Sequence, residues 1–92
     1  MIELGGNIKL EGFESLEPAK LIVAKKMIGN YVKKINEKKQ YNELLVTLKV
    51  EDKEFSISVI CDCGEEKLSG SKTDKNLFFA IDGALQEILR QG

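Results

Sequence analysis

Residues 42–61 read NELLVTLKVEDKEFSISVIC, and they hold two alternations back to back. Leu44, Val46, Leu48 and Val50 set the first, and Phe55, Ile57, Val59 and Cys61 set the second, with mostly polar residues between them. A period of two is that of a strand with one buried face. The intervening EDKE, 51–54, supplies the turn, so the segment predicts an antiparallel hairpin whose apolar faces coincide. Downstream, DCGE at 62–65 marks a second turn. EKLSGS at 66–71 then predicts a shorter, weaker strand around Leu68.

On either side of these strands the period changes to that of a helix. Leu21, Ala24, Met27, Ile28, Tyr31, Val32 and Ile35 form an apolar stripe running to about Lys38. Ser15 is the expected N-cap of that helix, Glu17 suits its positive end, and Pro18 is tolerated in its first turn. A second stripe, Leu77, Phe78, Ile81, Ala84, Leu85 and Ile88, predicts a closing helix within 75–91, with Asp74 as its cap. Before the first helix, Ile8 and Leu10 alternate with polar residues and Gly12 ends a strand. The order is βαβββα, an α+β fold. A four-stranded sheet with two helices on one face is the economical architecture, the first two strands being parallel across the helix. Ile8, Leu10, Val46, Leu48, Ile57 and Val59 are core candidates.

The 92 residues correspond to one expected domain, 1–92, with 42% hydrophobic and 32% charged residues and a net charge of −1. No apolar run approaches the roughly 20 residues that span a bilayer. The N-terminal MIELGGNIKLEG does not resemble a cleavable leader. The expected location is cytoplasmic, without a membrane partner. Histidine is absent, which removes a Ser/His/Asp triad, a Cys/His pair and histidine metal ligation. LGGN lacks the glycine spacing and lysine of a phosphate loop. The expectation is a non-enzyme with no catalytic residues, no cofactor and no metal. Cys61 and Cys63 could supply two thiolates or a redox pair; as strand-end residues they are equally small hydrophobes. We expect them to be reduced, unmetallated and dispensable.

The small net charge conceals an asymmetry. Residues 17–39 hold seven lysines against two glutamates, and residues 43–66 hold two lysines against seven acids. Lys26 and Lys33, seven apart, oppose the apolar stripe of the first helix, with Lys25 and Lys34 beside them and Gly29 and Asn30 between. Such a face can neutralise phosphates, or it can be a solvated surface that keeps the chain soluble.

The closing segment NLFFAIDGALQEILRQ, 76–91, is similar to the last helix of the ribosome hibernation-promoting factor family, the ribosome-associated inhibitors. The likeness rests on Asn76, Phe78, Ala80, Ile81, Asp82, Ala84 and Leu85. The hairpin LLVTLKVEDKEFSISVI and Gly12 also fit that family's pattern, in a short form limited to its N-terminal domain. The resemblance implies a fold akin to the double-stranded-RNA-binding domain with an added first strand. It also implies a stress-response translation regulator that sits in the mRNA and tRNA channel of the small ribosomal subunit, its basic helix faces against rRNA. The implied RNA-binding residues are Lys25, Lys26, Lys33, Lys34, Lys75 and Arg90. Family members carry several cations on the outer face of the last helix. Here that face offers Arg90, with Lys75 at its start, opposed by Asp82 and Glu87. The first helix must then carry most of the binding.

Phe79 departs from the family's usual small residue. It either tucks beneath the edge of the first helix as an enlarged core residue or, with Gly83, marks a protein contact for weak homodimerisation. A protein-interaction module of the same fold, without ribosome binding, is the alternative function.

Overall fold

The central hairpin forms as its alternation dictates. In the computed structural model, which describes residues 2–5, 7–38 and 40–91, β3 (Glu43–Glu51) and β4 (Glu54–Asp62) pair antiparallel from Glu43↔Asp62 to Glu51↔Glu54. Asp52 and Lys53 join them with φ of 48° and 65°. Two successive positive φ values match the right-handed twist of the flanking strands in a two-residue turn. β2 (Ile8–Glu11) lies parallel to β3, with Ile8 opposite Leu44 and Leu10 opposite Val46. β5 (Lys67–Asp74) pairs with β4 from Asp62↔Lys67 to Phe55↔Asp74.

Among the described residues the sheet has five strands rather than four. A two-residue β1 (Ile2–Glu3) pairs antiparallel with β2, and the Leu4 N–H donates to the Ile8 carbonyl at 2.7 Å. Two residues cannot display a period, so this strand left no pattern to read. β5 is also longer than its apolar content suggested, because backbone pairing with β4 extends it through polar residues to Asp74.

Both helices, α1 (Pro18–Lys38) and α2 (Leu77–Gln91), cover one face of this sheet. Leu10, Val46 and Val59 stand side by side in that face, as do Leu48 and Ile57. All of the core candidates, Ile8 included, are buried in a single cluster with Ala24, Ile28, Tyr31, Val32 and Ile35 of α1 and Leu77, Ile81, Ala84, Leu85 and Ile88 of α2, Phe78 of that stripe being half-buried against it. Leu21 and Met27 are half-buried at its margin. Val50 ends the alternation in solvent, and Phe55 opposite it is half-buried, because the hairpin tip projects past the helices.

Both expected caps move. Ser15 belongs to a short 3-10 turn, Phe13–Ser15, where its hydroxyl donates to the Gly12 carbonyl at 3.2 Å. Phe13 is fully buried, and anchoring it in the core bends the chain before the helix can start. α1 begins later, with Pro18 first and the Glu17 carbonyl accepting from the Leu21 N–H at 2.9 Å. Pro suits that position because its missing N–H would have no helical partner. On α2 the cap is Asn76, whose Oδ1 accepts from the Phe78 and Phe79 N–H groups at 2.9 and 3.2 Å. Asp74 accepts instead from the Asn76 N–H at 2.8 Å, setting the turn before the cap.

Two glycines are required by close approach. Gly12 has φ of 84°, and a Cβ there would lie 2.2 Å from the Leu48 carbonyl oxygen. At Gly70 a Cβ would lie 2.6 Å from the Ala84 carbonyl oxygen, so the missing side chain lets α2 settle directly on β5. The end of α2 is tied to the same strand, since the Gln91 side-chain amide donates to the Ser69 carbonyl at 2.5 Å and accepts from its N–H at 3.3 Å. Part of the β5 edge is thereby paired, and the nearby Lys67 and Lys72 discourage strand addition along it.

Candidate nucleic-acid interface

Buried positions on α1 fix where its charges point. With Ala24, Ile28, Val32 and Ile35 on the sheet and about 100° between successive residues, Lys26 and Lys33 lie on the outer side. Both are exposed, and among the described residues neither has an ion-pair partner. They are about 10 Å apart along the axis. Gly29 and Asn30 lie between them, and a Cβ at Gly29 would touch nothing within 4 Å. Packing therefore does not require that glycine. Glu37 shares the outer face one turn beyond Lys33 and bounds the basic stretch.

Lys25 does not belong to this face. It is half-buried on the opposite flank, because one helical step from Lys26 turns it back toward the sheet. Lys34 flanks the face on the side toward α2, with its ammonium 5.3 Å from the centre of the Tyr31 ring. That position suits a cation over an aromatic face and holds the charge at the helix–helix boundary. Lys20, also exposed, lies about 120° round the helix from Lys26, on the side of Lys34 and outside this face, and was not singled out in the sequence.

The second helix adds little to this surface. Lys75 is exposed just before α2, and Arg90 lies near its far end, about 20 Å away along the axis. Arg90 is also held by Glu87 at 3.3 Å, three residues earlier. The six cations named from the sequence thus divide into Lys26, Lys33 and Lys34 together, Lys25 turned aside, and Lys75 and Arg90 apart.

Above the shared apolar core, a polar network also joins the two helices. The Tyr31 hydroxyl donates to Asp82 Oδ1 and accepts from Gln86 Nε2 at 2.9 Å. Burial, then the Asp82 hydrogen bond and charge, hold the Tyr31 phenol above its ordinary value of 10.0. Further along, Lys38 Nζ donates to the Leu89 carbonyl at 3.3 Å. The helices therefore run side by side in the same direction, and the lysine face of α1 is presented on a fixed pair. This network was missed in the sequence. Its only trace was the spacing of Asp82 and Gln86, four apart on one side of α2.

Phe79 is not a core residue. It is 65% exposed, at the pole of α2 opposite the sheet. Gly83 is covered by the stem of Lys72, whose Cγ would lie 2.7 Å from an added Cβ. The two therefore do not form one open apolar patch. Ile22 and Val23, at 58% and 45%, are further exposed apolar residues on α1 that the sequence reading passed over.

Acidic groups occupy the two ends of the hairpin, Glu51, Asp52 and Glu54 at one and Glu43, Asp62, Glu65 and Glu66 at the other. Of these, Glu43 pairs with Lys9 at 3.2 Å. Among the described residues no three His, Cys, Asp or Glu side chains are grouped to hold a metal, and no helix is long and apolar enough to cross a membrane.

Comparison with solved structures finds the same arrangement elsewhere. The N-terminal domain of Thermus thermophilus Protein Y superposes with a TM-score of 0.75 at 18% identity, over 94% of each chain. A ribosomal subunit interface protein from Coxiella burnetii gives 0.64 at 8% identity, over 94% of this chain and 92% of that one. The likeness is one of fold. No protein-family model matches the sequence, and no curated protein matches it.

Proposed function

We propose that this chain is a member of the ribosome hibernation-promoting family and binds the small ribosomal subunit through the outer face of α1. The observation that carries this reading is the pairing of a fold shared with a ribosomal subunit interface protein and an exposed cationic face, Lys26, Lys33 and Lys34, without carboxylate partners among the described residues. Lysines at this spacing neutralise successive phosphates of rRNA and release their counterions, so recognition is of backbone and shape more than of base sequence. Bound in the mRNA and tRNA channel, the domain blocks translation by occupancy and performs no chemistry. Lys75 and Arg90, at the two ends of α2, make outlying contacts.

The test is co-sedimentation with purified small ribosomal subunits across a salt series. Binding at low salt that weakens steeply as salt rises supports the reading; no binding at low salt refutes it. Exposure of Phe79 favours a second reading, self-association through the outer pole of α2. A dimer that is insensitive to salt and has no affinity for RNA supports that one instead.

A further inference from the structure

We propose that Cys61 and Cys63 form a reversible dithiol modification site that exchanges with low-molecular-weight disulfides, Cys63 attacking and Cys61 resolving. Alternate residues of a strand share a face, but sharing a face does not by itself bring two thiols into contact. Here the Sγ atoms are 3.6 Å apart, and Cys63 Sγ also reaches back to within 4.0 Å of the Cys61 carbonyl. The local turn accounts for it. β4 ends at Asp62, whose Oδ1 accepts from the Gly64 N–H at 3.0 Å, while the Cys63 N–H donates to the Glu66 carbonyl at 2.9 Å. Gly64, with φ of 88°, completes the turn.

The two thiols differ in access, and that sets the order of events. Cys61 is 0% exposed within the core, whereas Cys63 is half-buried at the surface. A small disulfide R–S–S–R can be attacked by the Cys63 thiolate, forming a mixed disulfide and expelling one R–S⁻, which takes up the proton that Cys63 released. The Cys61 sulfur then needs no solvent access, because its target is the adjacent Cys63 sulfur. Its attack forms the Cys61–Cys63 bond and expels the second R–S⁻, protonated in turn. The two protein thiols are oxidised and one small disulfide is reduced to two thiols. The sulfurs must close from 3.6 Å to about 2.05 Å. A ring spanning one intervening residue of an extended segment is strained, and strained disulfides are the readily reduced ones. The bond therefore forms under an oxidising thiol poise and reopens when that poise falls.

The probe is oxidised glutathione added to the native protein, read by intact mass. Wild type is expected to end two hydrogens lighter and without an adduct. Cys61→Ala should stop as a glutathione adduct at Cys63, and Cys63→Ser should gain no adduct, its remaining thiol being enclosed. Circular dichroism reports whether Cys61→Ala keeps its fold; wild type and Cys63→Ser decide the matter by themselves. Any of three results overturns the proposal: a glutathione adduct as the wild-type end product, disulfide-linked dimers, or native thiols that stay unreacted while both react in denaturant.

Discussion

The Tyr31 hydroxyl on α1 donates its hydrogen bond to the Asp82 carboxylate on α2, so a polar contact fixes the angle at which the basic helix is displayed. Tyr31→Phe keeps the ring in place and removes that link along with the bond from Gln86. Asp82 is exposed and recovers water when freed, so the cost is that of an ordinary hydrogen bond, about 1 kcal/mol. Urea unfolding should show a lower midpoint at an unchanged slope. An unchanged midpoint would mean the contact contributes nothing.

The same phenol gives a pH dependence with a definite sign. Its folded-state pKa lies above the unfolded value of 10.0, so the native state holds its proton more tightly. The stability this contributes is complete below pH 10 and is lost as pH rises through the folded value. Tyr41, raised chiefly by burial, acts in the same direction. Tyr31→Phe should therefore lose less stability than wild type between neutral pH and the alkaline limb, while Tyr41 still contributes in the same direction. Parallel curves for the two proteins would contradict the assignment.

Two glycines should respond oppositely to alanine. At Gly70 the new methyl meets the Ala84 carbonyl oxygen and the Glu87 Cβ at 2.6 and 2.7 Å, both on the helix that covers the strand. Relieving that overlap lifts α2 and should cost about 1–3 kcal/mol. At Gly29 the methyl enters open space in a helix interior, and alanine should stabilise by about 1 kcal/mol. Thermal melts of the two variants should move in opposite directions from wild type.

Truncating Phe79 tests its placement. Phe79→Ala at an exposed position should change stability by less than about 0.5 kcal/mol, whereas loss of a buried phenylalanine costs about 3–5 kcal/mol. A large loss would return the ring to the core. If the variant keeps its stability but abolishes a concentration-dependent dimer, the self-association reading gains its residue.

Much of this fold could be read where the apolar period was sustained. The alternation of Leu44–Leu48 and Ile57–Cys61 named the hairpin and its buried face, and the α1 stripe from Ala24 to Ile35 named the helix and its lysine side. Reading failed where a single contact overrides local pattern. Phe13 entering the core displaced the cap from Ser15, Asn76 outcompeted Asp74 by standing immediately before the first helical turn, and β1 was too short to have a period. Phe79 was misplaced because a stripe gives facing only to within tens of degrees. Phe79 lies about 60° beyond Asp82, the residue that meets Tyr31 of α1, and that offset leaves the ring in solvent. The candidate site was legible in Lys26 and Lys33 for the same reason the core was. Lys25 was not, because one residue of offset turns a side chain by about 100°.

The central claim is best tested by the salt dependence of small-subunit binding, measured for wild type and for Lys26→Glu combined with Lys33→Glu. Lys49→Glu with Lys53→Glu is the control, since it makes the same change in total charge at the acidic hairpin instead. Wild-type affinity should fall linearly in log–log terms with salt, and each lost phosphate contact should flatten the slope by about 0.7–0.9. The α1 double variant should keep its fold, bind far more weakly and show a slope flatter by about 1.4–1.8, while the hairpin control changes little. If the two double variants bind alike, or wild type fails to bind at low salt, the lysine face of α1 is not a ribosomal RNA interface.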